Sequence, residues 1–418
     1  MQYPIFVRVR QTFDRTIVKD IPTTIRDEMA KLNLGDKIKP GQSVALTAGS
    51  RGIANIPLIL QSVARYLKDL GAQPYLVPTM GSHGGGTAEG QREVIESYGI
   101  TEEFVGVPIK ASMEVIELGK TEKGFPVYLD KYASEADHIG VVGRVKPHTG
   151  FHGPIESGLL KMMLIGLGKH VGAIAYHQIL LDNRWDPVVR EVSRLMRAKA
   201  KISFGLGIVE NAYDETALIE AVAPPEFEPR EEAMLIKARE WLPKLPFREA
   251  DLLIIDQIGK NISGSGMDTN VVGRKRAFRE KPPEGQPEMR FIFVRGLTDK
   301  THGNAAGIGL ADFTTQRLID NMNYRATVIN CVTSGYPDGA TLPVHYDTDR
   351  EVINAALPII GTRQPEQARV MQIKDTLSVE ELLVSEALLK EGEAQTRFEV
   401  IGEASELQFD AGDNLTAV

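Results

Sequence analysis

The sequence predicts an α/β protein of two domains, with largely parallel sheets flanked by helices. Three observations carry this expectation. Short runs of β-branched and apolar residues alternate with amphipathic segments, the pattern of strand–helix–strand units. The chain has 418 residues, too many for one ordinary core. Two prolines in LPKLPFR, residues 242–248, interrupt a helical segment, and a fresh strand begins just beyond. Domains of 1–245 and 246–418 follow. The acidic, mixed segment 377–418 is expected to pack back on the first domain.

Taken in order, strands are expected at 43–47, 73–78, 138–145, 202–209, 251–257, 290–294 and 326–332, each bounded by turn-forming residues. The segment 55–70 places Ile56, Leu60, Val63, Leu67 and Leu70 near one helical stripe, and Gly71 ends it. A second helix is expected at 87–98 with Thr87 as its N-cap. Further helices are expected at 182–198 and 231–241, and the glycine-rich stretch 166–172 reads as a turn between two helices. APPEFEP at 223–229 and the charged segment 274–287 read as exposed loops.

Composition narrows the functions available. Hydrophobic residues make up 42% and charged residues 25%, the balance of a globular protein. A net charge of −8 argues against nucleic-acid binding. No run of 18 apolar residues suggests a membrane span, and MQYPIFVRVRQTFDR lacks the apolar core of a signal peptide. Cys331 is the one cysteine. A reducing cytoplasm is therefore expected, and cysteine-rich zinc or iron–sulfur sites are excluded. Any metal must be held by His, Asp or Glu, or by ligands that a cofactor brings.

The richest stretch is RVKPHTGFHGPIESGLLKMMLIGLGKHVGAIAYH, residues 144–177, which holds four of the eight histidines. Lys161 interrupts the apolar run 159–167. Because a buried ammonium is costly, its stem either snorkels to water or the amine is neutral or covalently used. KPHTGFHG, 146–153, sets His148 and His152 four apart, a metal pair if helical. Pro147, Gly150, Gly153 and Pro154 oppose a helix, so His148 is the better acid/base candidate. His177 is open between metal ligand, core residue and surface residue.

Three other motifs stand out. GSHGGGT, 81–87, follows a strand and opens a helix. Gly84 and Gly85 would let backbone amides approach an anion beside His83, or would simply make a tight turn. Arg51 in SRG stands between a strand and a helix and could grip a carboxylate with two parallel hydrogen bonds. DQIGKNISGSGMD, 256–268, offers Gln257 and Lys260 on a loop just past a strand.

Together these residues resemble the nickel-dependent lactate racemase family in its broad sense. Carrying the resemblance are Arg51, His83, the Pro147–His148 pair followed by Gly150 and Phe151, Lys161, His177 sixteen residues later, and Gln257 with Lys260 three apart. The resemblance implies an isomerase, a racemase or epimerase of α-hydroxy acids, with its site in a cleft between the domains. It implies a nickel-pincer nucleotide, a pyridinium mononucleotide bearing two sulfur groups, tethered as a thioamide to Lys161. His177 would ligate nickel. His83 and His148 would be the acid/base pair. Arg51, Gln257 and Lys260 would bind the substrate carboxylate, and Gly84, Gly85 and Arg51 the cofactor. Maturation enzymes for the cofactor are the implied partners, besides a small α-hydroxy acid.

The chain also departs from the family. Where an aspartate usually precedes and a proline follows the arginine, it reads AGSRGI. His83 is followed by glycines, not arginine, and the interval from His148 to Lys161 is longer. These changes favour a larger or more polar hydroxy acid, such as a sugar acid, with Arg274 and Lys275 as candidate contacts. Two other readings of the residues remain. One is a zinc or manganese hydrolase or lyase built on His83, His148, His152 and His177. The other is a non-catalytic module binding an acidic metabolite.

Overall fold

The computed structural model describes residues 1–50, 52–275 and 285–418. They form two compact units. The N-terminal unit comprises residues 15–148 and 152–242, and the C-terminal unit 1–14, 149–151 and 243–418. The expected division at 245 is thus crossed by the chain's first strand, which belongs to the C-terminal unit. The tail belongs to the C-terminal unit. Its strands Glu381–Ser385, Phe398–Val400 and Ser405–Glu406 all pair antiparallel with Ile5–Gln11, inside the C-terminal unit.

The N-terminal unit is built on a five-stranded sheet in the order Gln73–Pro78, Ser43–Ala48, His138–Arg144, Ile202–Glu210, Thr216–Val222. The first four strands are parallel and the last is antiparallel. The parallel strands are buried along nearly their whole length. That explains why they read as continuous apolar runs rather than alternating ones. Helix Ile56–Asp69 buries Ile56, Ile59, Leu60, Val63 and Leu67 in the core that contains Leu46, Phe204 and Leu206. Truncating Leu60, which is fully buried, to alanine would cost about 2–5 kcal/mol.

The C-terminal unit is built on a nine-stranded sheet. Five parallel strands run Val344–Tyr346, Phe313–Thr315, Glu288–Val294, Glu249–Ile255, Val370–Ile373, and the antiparallel set around Ile5–Gln11 follows. Strand periodicity divides its two faces. Leu253 and Ile255 join one core cluster, Leu252 and Ile254 the other.

Three expectations are corrected here. Residues 326–332 are not a strand but part of helix Tyr324–Thr333, whose N-cap Asn323 accepts from the Ala326 amide. Thr327 and Cys331 are buried while Ile329 and Val332 are exposed, a helical rather than an alternating pattern. Residues 223–229 are only partly loop: a turn at Pro224–Glu226 leads into helix Phe227–Trp241, whose first turn accommodates Pro229. Helix Lys169–Asp182 runs through what was read as the start of the next helix, which begins at Trp185. Among the described residues no single helix is long and apolar enough to cross a membrane.

Candidate functional site

The loop after strand Gln73–Pro78 turns through three consecutive glycines, Gly84, Gly85 and Gly86, with φ of 64°, 66° and 67°. A side chain on Gly84 would lie 2.4 Å from the backbone of Gly90, and one on Gly90 would lie 2.1 Å from the Gly84 carbonyl oxygen. Close packing of the loop on helix Ala88–Ser97 therefore accounts for Gly84 without any ligand. Around Gly85 there is open space. Thr87 caps the helix as expected, accepting from the Gly90 amide at 3.1 Å.

His83 begins this turn, and its Nδ1 shares a hydrogen bond with Ser50 Oγ. A histidine engaged at Nδ1 handles ligand protons through Nε2. Gln91, on the following helix, donates from Nε2 to the carbonyl of Gly81 at 2.8 Å and that of His83 at 3.4 Å. Its Oε1 accepts from Lys169 Nζ at 2.5 Å. Lys169 also donates to the Pro78 carbonyl at 2.7 Å and stands 3.6 Å from Asp130 Oδ2. Both charged groups are fully buried. Burial pushes the Asp130 carboxyl up and the Lys169 ammonium down, each against the attraction of the other.

Sequence reasoning missed this network. It left Lys161, in the apolar run, open between a stem that snorkels to water and a neutral or covalently used amine; the residue is half-buried and donates to Ser157 Oγ at 3.2 Å. The sequence predicts a turn at Lys169, and its φ of 55° is left-handed. For a non-glycine residue that conformation costs about 1–2 kcal/mol. Strain retained at a buried lysine was the signal, and it is not visible without coordinates.

The apolar run itself starts as helix Leu159–Lys161 and widens to a π-helical stretch, Met162–Leu167. Such stretches are frequent at functional sites. A 113° bend separates it from helix Lys169–Asp182. The bend brings His177 into the field of Lys161. Burial, then the Lys161 ammonium, holds the His177 imidazolium below its ordinary pKa. His177 is thus neutral near pH 7, the state in which imidazole ligates metal.

Beneath helix Leu159–Lys161 lies Glu231, fully buried, accepting from the Leu160 amide at 2.9 Å. Burial pushes its carboxyl up to about 8, so at neutral pH it is a neutral acid. Gly158 is needed above it, because a side chain there would sit 2.2 Å from Glu231 Oε1.

The loop 146–153 is non-helical, as its prolines and glycines predict. His148 and His152 do not form a metal pair. Both meet the buried Glu156: the His148 amide donates to Oε2 at 2.5 Å, and His152 Nδ1 lies 3.3 Å from Oε1. Arg239 completes the cluster at 2.6 Å from Oε1. Among the described residues no group of three or more His, Cys, Asp or Glu side chains forms a metal-ligand set. The zinc or manganese alternative therefore has no preassembled ligand set among the described residues.

Gln257 and Lys260 belong to the C-terminal unit. The Gln257 amide donates to the Lys374 carbonyl at 3.0 Å. Lys260 Nζ donates to the Gly264 carbonyl at 2.7 Å, and its amide to Thr301 Oγ1 at 3.2 Å. Arg274 and Lys275 are not on an exposed loop. Arg274 donates to the carbonyls of Leu310, Met289 and Arg290 and pairs with Asp312 at 2.6 Å. Lys275 is buried. These contacts give Arg274 a structural role. Arg51, the expected carboxylate grip, lies outside the described residues, as do 276–284 of the expected loop.

Comparison with known proteins gives a family-model match and a shared fold. Residues 12–186 match the family model described as lactate racemase N-terminal domain. This span contains Arg51, His83, His148, Lys161 and His177. No curated protein sequence matches the chain. Among solved structures, the lactate racemase apoprotein from Thermoanaerobacterium thermosaccharolyticum superposes with a TM-score of 0.53 at 13% identity. The match covers 90% of this chain and 99% of that one, and shows a shared fold. Residues 12–186 thus resemble the lactate racemase N-terminal domain, and the chain as a whole shares the fold of a lactate racemase apoprotein.

Proposed function

We propose that the protein is an isomerase, an α-hydroxy-acid racemase or epimerase that works through a 2-keto acid with a nickel-pincer nucleotide on Lys161. The observation that carries this reading is the pairing of Lys161 and His177 across the bend, with burial and then the Lys161 ammonium holding the His177 pKa below its ordinary value. The two residues fit the group: a half-buried amine suited to acylation, and an unprotonated imidazole suited to a soft or borderline metal. Lys161 would hold the nucleotide and His177 its nickel. When bound, the cofactor supplies a hydride acceptor that returns what it takes.

The remaining work falls to the chain's own side chains. His83, held at Nδ1 by Ser50, takes or returns the substrate hydroxyl proton through Nε2. His148, on the loop anchored by Glu156, is the second acid/base group, for the opposite enantiomer. Arg51, Gln257 and Lys260 are assigned to the substrate carboxylate. Glu231, uncharged and hydrogen-bonded to the Leu160 amide, holds the turn that bears Lys161 without adding charge beside it. Cofactor maturation enzymes are required partners, and a cytoplasmic location accords with the lone Cys331.

Racemisation in deuterium oxide by cofactor-loaded enzyme tests the reading. If hydride moves to and from the cofactor, the product of inverted configuration keeps its α-hydrogen. Stoichiometric deuterium at that carbon would mean simple deprotonation and would overturn it.

A further inference from the structure

We propose that Lys169 and Gln91 are positioning residues for His83, acting through the backbone of the turn rather than by touching a ligand. The argument rests on the proton inventory of the network. An ammonium only donates, so the amide oxygen of Gln91 must face Lys169. With Oε1 taken at 2.5 Å, the amide nitrogen is forced toward the loop, where it meets the carbonyls of Gly81 and His83. Lys169 thereby removes the alternative flip of the Gln91 amide. The two pinned carbonyls bracket the entry into the glycine turn, and Ser50 fixes the ring of His83.

Lys169 is itself fixed at three points. The Pro78 carbonyl ends the strand from which the loop departs, Asp130 caps the helix Lys131–Glu135, and its own left-handed backbone makes the bend before helix Lys169–Asp182. The His83 turn is therefore referenced to the sheet edge and to the element that carries His177. A glycine would meet the backbone demand at 169 with less strain. The lysine supplies what glycine lacks, a buried donor.

The assignment of His83 to catalysis rests on the function proposed above, so the test includes a readout independent of turnover. Gln91→Glu keeps an acceptor for Lys169 but cannot donate to the two carbonyls. In the cofactor-free chain this variant should melt close to the wild type. Amide hydrogen exchange across residues 83–87 should quicken about tenfold or more. In loaded enzyme kcat should fall about tenfold or more, while KM stays within about threefold. Lys169→Met should give the same exchange signature; if it does not fold, Gln91→Glu decides. Unchanged exchange at 83–87 in Gln91→Glu would overturn the proposal, leaving the network as core packing. Wild-type protein with no turnover, yet with loop exchange that responds to Gln91→Glu, would count against the catalytic reading and support the positioning one.

Discussion

His177 is kept neutral by burial and by the ammonium of Lys161, sixteen residues earlier and across a 113° bend. The two side chains that would share one cofactor therefore already sense each other in the bare protein.

Lys161→Met removes the charge that acts on His177 besides burial, so the pKa of His177 should rise toward the ordinary histidine value. A group whose pKa is depressed by folding makes the native state bind fewer protons. Its contribution to stability is thus present at neutral pH and is lost as pH falls below about 6.5. Ring-proton titration of metal-free protein by NMR checks both parts. A His177 titration that ignores Lys161→Met would show that the charge does not reach it.

Glu231 has the opposite linkage. Its carboxyl ionises at about 4.5 in an unfolded chain and only near 8 in the fold. The unfolded state releases its proton first, so stability falls as pH rises from about 4.5 to 8. Glu231→Gln cannot ionise and should gain relative to the wild type across that range, by up to roughly 4 kcal/mol. Denaturant melts of both proteins at pH 5 and pH 8 measure the difference. Parallel pH dependence in the two would contradict a neutral, buried Glu231.

The glycines of the turn should separate by mechanism. Gly85→Ala meets nothing within 4 Å and bears only the left-handed backbone cost, about 1–2 kcal/mol. Gly84→Ala and Gly90→Ala drive a methyl into facing backbone and should cost clearly more. Thermal melts rank them; equal losses would mean that the close approach of loop and helix is relaxed in solution.

His83→Gln and His148→Gln should each lower kcat of loaded enzyme by about 10²–10⁴, the usual worth of a positioned acid or base. Melting temperatures should be little changed, since neither ring is fully buried. Full turnover in either variant removes that residue from the mechanism.

Much of the fold was legible because parallel strands buried on both faces leave unmistakable apolar runs, as at Gln73–Pro78, where the expected and observed limits coincide. The failure at 326–332 has a physical reason: its β-branched Ile329 and Val332 face solvent on a helix that buries Thr327 and Cys331, four apart, and Asn323 starts it. Chain order hid the antiparallel return of the tail onto Ile5–Gln11, since a pairing 370 or more residues apart leaves no local signal. In the site, Lys161 and His177 were legible as an ordered pair. Lys169 was not, because glycines on either side of a lysine and a histidine read as a turn whichever way the amine points. Ser50 and Glu231 were likewise invisible, as their roles come from contacts between distant segments.

The central claim is a nickel-bearing nucleotide on Lys161. The most direct test is co-expression with the nickel-pincer maturation enzymes, followed by the mass of the tryptic peptide that carries Lys161 and the nickel content of the intact protein. The account predicts a cofactor-sized adduct on Lys161 with nickel in the protein, and loss of both in Lys161→Ala. An unmodified Lys161, in a preparation where a known racemase is loaded, would contradict it.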